Sequence, residues 1–422
     1  MNTLSRFNSF QFARHGDKQN SAFFEEYLQK LLDERDRLGL TDMIQEIDAL
    51  MITVDPDHSI QYIAELSLMT SYHYLVTLES DQHWTHVLRI DLDSPDLLVR
   101  EVKDPSFRGI FRSLNEIYPV GARKPNSRYM GEIIRVRNMH EVVKLQEERE
   151  FRFFTRDEVR KMELPDNVAI SKPSPYTHNI VGYMQREPGE LRVYALGTST
   201  IRNDVQAAYD KAKDLQAKLR IDDLILPVDH LATRVYSQNR EVAILEYLSW
   251  SSYYFWGAYN IWDQNSSTNV TKSVHGLAET KSPAKVFTAN NTPYFVNHLG
   301  KLASPTETFV RNYGPRLHHV ALSVKDGMRD GMENIEFVVD AIAGQGKGFL
   351  LDVIGSKEEG LKQIFSNASE HSSLIIEYVQ RYDGFDGFFT RDNVAKLTAA
   401  AGVEEGVLEE QAKRSQATEL KY

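Results

Sequence analysis

The chain has 422 residues, with 60 acidic and 49 basic side chains, a net charge of -11, 41% hydrophobic residues and no cysteine. That size allows two domains or three compact modules, and the absence of cysteine excludes disulfides, thiolate metal sites and cysteine nucleophiles. No basic cluster stands out, no apolar stretch reaches membrane-helix length and Met1–Phe7 lacks an apolar leader core, so neither nucleic acid nor membrane is an expected partner and a cytoplasmic location is expected.

In chain order, residues 19–39 predict a helix, with Phe24, Leu28, Leu31 and Leu32 in one stripe and Gly39 at its end. Ile60–Ala64, Tyr72–Val76, Thr85–Ile90 and Met130–Arg137 predict strands. A helix starts at Thr155. Residues 167–200 alternate like a hairpin with a turn at Glu187-Pro188-Gly189, and residues 203–220 predict a helix leading into the second half. These breaks divide the chain into a domain over 1–220, a second over 221–402 and a charged tail over 403–422.

The second half carries a repeated pattern. A strand at Leu226–Val235 and a helix at Glu241–Trp250 precede strand-like runs at Tyr253–Ile261, Val270–Leu277 and Ala284–Ala289. A linker over 291–316, with Pro293, Pro305, Gly314 and Pro315, ends it. The pattern restarts with a strand at Leu317–Val324, a helix at Met332–Ala343 and runs at Gly348–Ile354, Leu361–Ser366 and Ser373–Gln380. The expected fold is therefore α+β, with paired βαβββ modules forming a curved sheet around a cleft. One echo links the halves: Phe153 to Lys161 resembles Phe388 to Lys396. Both segments suit a helix N-terminus, where Thr caps and acidic residues follow. A duplicated N-terminal half is the alternative reading.

Leu317–Val324 has period two, with His319 on one face. His230 lies inside the first strand of the other module. Glu377 sits in the apolar run Ile375-Ile376-Glu377-Tyr378-Val379, where a carboxylate is costly unless paired, hydrogen-bonded or metal-bound. Two histidines and a carboxylate on three strands, with no cysteine, form the ligand set of a mononuclear non-haem iron site. The competing readings are core histidines and an ion pair of Glu377 with Arg234 or Arg381. Strict alternation turns His318 away from His319.

Five motifs in order resemble the catalytic domain of the 4-hydroxyphenylpyruvate dioxygenase family, within the vicinal oxygen chelate superfamily. They are Val228-Asp229-His230-Leu231, Leu317-His318-His319-Val320, Gln363-Ile364-Phe365, Ile375-Ile376-Glu377-Tyr378-Val379-Gln380-Arg381, and Gly384-Phe385-Asp386-Gly387-Phe388-Phe389 followed by a gate helix. The match covers roughly residues 224–400. The resemblance implies Fe(II) on His230, His319 and Glu377, a site that Zn, Ni, Co or Mn can also occupy. It implies a 2-oxo acid and dioxygen as reactants, with Gln363, Phe365, Phe385, Phe389, Ser273 and Asn290 as substrate contacts. His318 stands where the family has Gln, and the segment Ala303–Phe309 lacks the family's glutamines. These departures touch substrate contacts rather than ligands and put the family's aromatic substrate in doubt. A divalent-metal isomerase, lyase or ring-cleaving dioxygenase of the same fold, and a non-catalytic ligand-binding protein, are the alternatives. Homo-oligomer formation is left open.

Overall fold

The computed structural model describes residues 15–16, 22–186, 192, 194, 197–275, 282–292, 305–350, 352–385 and 387–402. The first strand, β1 (His15–Gly16), precedes a run made of β2 (Ile44–Val54), β3 (His73–Glu79), β4 (His83–Arg89) and β5 (Asp96–Val102). Next come β6 (Arg128–Val136), β7 (Val168–Ile170), β8 (Ile180–Gln185) and β9 (Thr198–Thr200). The second half opens with β10 (Ile225–Arg234), β11 (Tyr253–Ile261), β12 (Ser266–Ser273) and β13 (Ala284–Asn290). It continues with β14 (Arg316–Val324), the small hairpin of β15 (Met328–Arg329) and β16 (Met332–Glu333), then β17 (Ile354–Ser356), β18 (Leu361–Phe365) and β19 (Ile375–Arg381). Two curved sheets result. One has the order β7-β8-β6-β2-β5-β4-β3-β9 and the other β1-β11-β12-β13-β10-β14-β19-β18-β17.

The two sheets are copies in detail. β2 runs parallel to β5 and antiparallel to β6, as β10 does to β13 and β14. The register shifts coincide as well. Those at Ile44/Ile47, Ile47/Ala49 and Met51/Ile52 in the first sheet match Ile225/Val228, Val228/His230 and Ala232/Thr233 in the second. A bulge repeated at the same rung is a built feature of a duplicated unit. The copies also clasp each other reciprocally. The Tyr183 hydroxyl of β8 donates to the Trp250 carbonyl at 2.6 Å, and the Tyr378 hydroxyl of β19 donates to the Met69 carbonyl at 2.7 Å. Met69 and Trp250 end the helices Ser59–Met69 and Arg240–Trp250, which follow β2 and β10. The Phe-Phe-Thr-Arg-Asp echo does not follow this register. Its first copy leads into the helix Arg156–Lys161 before β7, with a complete capping box at Thr155, whereas the second leads into the helix over 391–402 after the last strand. The echo is capping chemistry, and the repeat lies elsewhere.

Four local expectations change. Ile60–Ala64 belongs to the helix Ser59–Met69, because Tyr62, Ile63, Leu66 and Met69 are buried at helical spacing; five apolar-rich residues alone do not distinguish the two periods. In the expected linker, Pro305–Tyr313 is a helix that starts on Pro305, where a missing amide hydrogen does no harm. β12 starts at Ser266 rather than Val270, and Gly348–Ile354 contributes an isolated bridge at Phe349 and the start of β17 rather than a full strand. The turn at 187–189 and the tail at 403–422 fall outside the described residues.

The N-terminal segment crosses over. β1 pairs with β11 of the second sheet, and the helix Ala22–Arg37 packs Phe24 edge-on against Phe255 at 5.0 Å. Arg35, fully buried, donates to the carbonyls of Leu248, Ser251 and Tyr253 at 2.9, 2.8 and 2.6 Å. Hydrogen bonds to a charged donor contribute about 1.5–3 kcal/mol each, and buried carbonyls stranded by its loss are penalised. Arg35→Met should therefore destabilise the chain by about 3 kcal/mol or more, read as a lowered urea midpoint by circular dichroism.

Glu246, on the helix Arg240–Trp250, is bonded by the Ser174 hydroxyl of the first half. Burial pushes its carboxyl up to about 7 against the lowering effect of Ser174. A carboxyl that is raised on folding holds its proton longer in the folded state, so stability falls as pH rises from the unfolded value near 4.5 through about 7. Glu246→Gln should remove that slope, so that melting temperatures measured from pH 4.5 to pH 8 flatten and the variant gains on the parent at pH 8.

Candidate metal centre

β10, β14 and β19 are consecutive in the sheet, and their register brings three side chains to one place. His230 lies opposite Ala321, Ala232 opposite His319, and Ala321 beside Glu377. The nitrogen and oxygen donors of His230, His319 and Glu377 all lie within 4.8 Å of one another. Glu377 Oε2 is 3.1 Å from His230 Nε2 and 3.2 Å from His319 Nε2. Exposure is 0% for His230, 7% for His319 and 1% for Glu377. Neither Glu377 oxygen nor His230 Nε2 has a hydrogen-bond partner. Buried acceptors left this way are costly, and a cation satisfies them.

The ring of His230 is held from behind. Its Nδ1 donates to Asp229 Oδ1 at 2.7 Å, which turns Nε2 toward Glu377, where it holds a proton at neutral pH and offers its lone pair once a cation replaces that proton. Asp229 is gripped in turn by both terminal nitrogens of Arg381 and by the Ser323 hydroxyl. Burial alone would raise the Asp229 carboxyl, but Arg381 and His230 hold it well below the usual carboxylate range. Adjacent residues on a regular strand point to opposite faces. Here the register shift between Val228 and His230 makes Asp229 a bulged residue that turns back to its neighbour. The shift opposite Ala232/Thr233 does the same for His318, whose Nδ1 lies 2.8 Å from His319 Nδ1. This corrects the expectation that His318 faces away: one bulge places both rings on the cavity wall. Arg381 is thus engaged by Asp229 rather than by Glu377.

The electrostatics match the donor set. Burial disfavours a proton on His230, but Glu377 and Asp229 outweigh it and hold the ring up at about 9. Burial, with His230 and Arg234 nearby, pushes His319 well below its ordinary value. Burial raises Glu377 against the pull of His230. A divalent cation offsets the same carboxylate while both imidazoles stay neutral.

Beside the triad lies about 540 Å³ of empty space, part of it open to solvent. Phe365 rests on His319 at 4.8 Å, and Phe389 on His230 at 5.2 Å. Gln363 is fully buried with both amide atoms unpartnered at the cavity wall. Val394, Leu397 and Thr398 of the helix over 391–402 cover the space. Arg234, Ser266, Thr268 and Thr288 line the far wall, and Arg234 stacks over Phe309 at 4.9 Å. Of the anticipated contacts, Gln363, Phe365 and Phe389 are at the cavity. Phe385 packs one layer behind, against the cluster containing Phe388 and Phe389. Ser273 falls on the opposite face of β12 from Ser266 and Thr268, and its hydroxyl accepts from the His275 amide. Asn290 sits past Thr288 at the end of β13, opposite Ser266. Sequence reading missed Asp229 as the support of His230, and missed Arg234, Ser266, Thr268 and Thr288. Arg234 shares the alternation of His230 and was readable; the β12 pair was not, because that strand begins earlier than its apolar run.

No family model matches the sequence, and no curated protein does. Among solved structures the chain is similar to a triple mutant of 4-hydroxymandelate synthase from Streptomyces coelicolor, with TM-score 0.58 and 13% identity over 86% of this chain and 99% of that one. It is also similar to a xylose isomerase-like TIM barrel/4-hydroxyphenylpyruvate dioxygenase fusion protein, with TM-score 0.53 and 14% identity. That match covers 90% of this chain and 58% of the fusion. The chain has the vicinal oxygen chelate fold.

Proposed function

We propose that His230, His319 and Glu377 hold one Fe(II) and that the chain is a non-haem iron dioxygenase, similar to 4-hydroxyphenylpyruvate dioxygenase, that oxidatively decarboxylates a 2-oxo acid. The observation that carries this reading is a fully buried carboxylate with two unpartnered oxygens, set between two imidazoles whose free nitrogens face it. Two histidines and one carboxylate on one side of a metal leave positions open for substrate and dioxygen. Iron bound there supplies the activation of dioxygen.

The chain's own residues do the rest. Asp229 keeps His230 in the tautomer that offers Nε2. A His319 ring that offers Nε2 carries its hydrogen on Nδ1 and donates it to His318 Nδ1. His318 then presents its own Nε2 hydrogen as a donor on the cavity wall. The Gln363 amide supplies a donor and an acceptor to polar atoms of the substrate. Phe365, Phe389, Val394 and Leu397 exclude water around them.

Metal binding and turnover test this. Metal content should fall from one ion per chain to near zero in Glu377→Ala, and Asp229→Asn should bind iron about 10–100-fold more weakly in competition titrations. Gln363→Ala and Phe365→Ala should keep the metal and lose up to about a hundredfold in turnover through misplacement of the substrate; loss of iron in Gln363→Ala would overturn this division of roles. Oxygen uptake with a panel of 2-oxo acids should appear in wild type and vanish in Glu377→Ala, and no uptake with any of them sinks the proposal. 4-Hydroxyphenylpyruvate should be a poor substrate, because His318 and the Pro305–Tyr313 helix stand where the family has glutamines; efficient conversion to homogentisate contradicts this.

A further inference from the structure

The register of the two sheets maps the proposed ligands onto the first half residue by residue. His230 corresponds to Ala49, His319 to Gly131 and Glu377 to Gly182. All three metal donors are replaced by residues with no donor atom. A cavity nevertheless persists on the same strands. Thr53, His83, Arg100 and Met130 line about 470 Å³ of empty space, part of it open to solvent. They are the counterparts of Arg234, Ser266, Thr288 and His318, which line the cavity of the second half.

Arg100 is the feature that needs explaining. Its side chain is 2% exposed, yet it forms no ion pair among the described residues. Nε donates to Thr85 Oγ1 at 3.3 Å and Nη2 to the Met162 carbonyl at 2.7 Å, and Nη1 has no protein acceptor among the described residues. Glu163 is already engaged by His83, Ser80 and the Gln82 amide. Arg112, across the cavity, is committed to Glu116. Burial lowers the Arg100 guanidinium to about 10 against the pull of the nearby Glu163 carboxylate, which makes no hydrogen bond to it, so it stays charged at neutral pH. A buried charge of this kind calls for a counterion. The rest of the wall is mostly apolar, with Val102, Phe107, Ile110, Phe111 and Met162, and Asn126 adds one amide, which is bonded to Asp55.

We propose that the first half binds a small monocarboxylic acid with an apolar body, its carboxylate on Arg100 and its body against Phe107 and Phe111, in a metal-free copy of the second-half cavity. The proposal does not rest on the iron reading. A guanidinium pairs with a carboxylate through parallel hydrogen bonds and discriminates against a neutral amide of the same shape.

The probe is 4-iodobenzoate, compared with 4-iodobenzamide, on full-length protein carrying Glu377→Ala so that the second-half site is disabled. Calorimetry should show one benzoate per chain, bound at least about tenfold more tightly than the amide. Arg100→Gln in the same background should abolish that preference, whereas Arg234→Gln should preserve it. A purely structural role for Arg100 would lower stability without erasing the preference for the acid. Should Arg100→Gln fail to fold, the iodine position decides: anomalous scattering from crystals of the Glu377→Ala protein soaked in the acid should place iodine between Phe107 and Phe111. No benzoate binding, a preference unchanged by Arg100→Gln, or iodine found only in the second-half cavity would each overturn the proposal.

Discussion

Glu377 lies in a strand flanked by Ile375, Ile376, Tyr378 and Val379, and it is as buried as they are. An ionised carboxylate in such a place is strongly penalised unless its surroundings supply positive charge or donors. Its own strand supplies no donor, since the nearby cation Arg381 spends its hydrogen bonds on Asp229 and the Phe388 carbonyl. β14 beside it and β10 beyond bring His319 and His230 within 3.2 and 3.1 Å, and of the two rings His230 is the one that pulls the carboxyl back down against burial. Asp229, Arg381 and Ser323 then orient one ring, and His318 braces the other. Much of the polar architecture of the second sheet follows from keeping that one carboxylate in place.

The orientation depends on two bulges, and both occur in the first sheet as well. The backbone device is therefore common to the two halves, while the chemistry belongs to one. In the first sheet the rungs of the triad hold Ala49, Gly131 and Gly182. At Gly131 the φ is +154° and a Cβ would fall 1.9 Å from the Ile180 carbonyl oxygen, so that rung has closed on itself. The walls of the first sheet's cavity come instead from Thr53, His83, Arg100 and Met130 on strands of the same sheet.

The halves are joined by groups that obey the same near-twofold relation. Arg128 and Arg316 begin equivalent strands, and both donate to Asn115 Oδ1, at 3.3 and 2.7 Å. The Tyr183 and Tyr378 hydroxyls make the reciprocal clasp. Lys285 and Glu132 break the symmetry. They form a buried pair at 3.2 Å across the junction, and their counterparts in the other copy, Leu97 and Val320, are apolar. Breaking one partner of such a pair is strongly destabilising, so it favours one docking arrangement of the halves over a swapped one.

By itself the sequence determined the βαβββ patterning of the second half, the α+β class and the candidate triad. Each of these is written in local periodicity or in one unusual residue: alternation marks Leu317–Val324, and a carboxylate in an apolar run marks Glu377. It did not determine the sides on which Asp229 and His318 fall. A bulge is a mismatch between two strands, so neither strand records it alone. The same limit hid the repeat in the first half, where the copy survives in pairing and register after its side chains have diverged, and made Phe153–Lys161 look like the evidence for it. It also hid Arg100. An arginine in a strand reads as a solvated edge residue until the sheet closes over it, and only the folded chain shows that its charge is buried at a cavity wall, with the nearby Glu163 carboxylate already bonded to His83, Ser80 and the Gln82 amide.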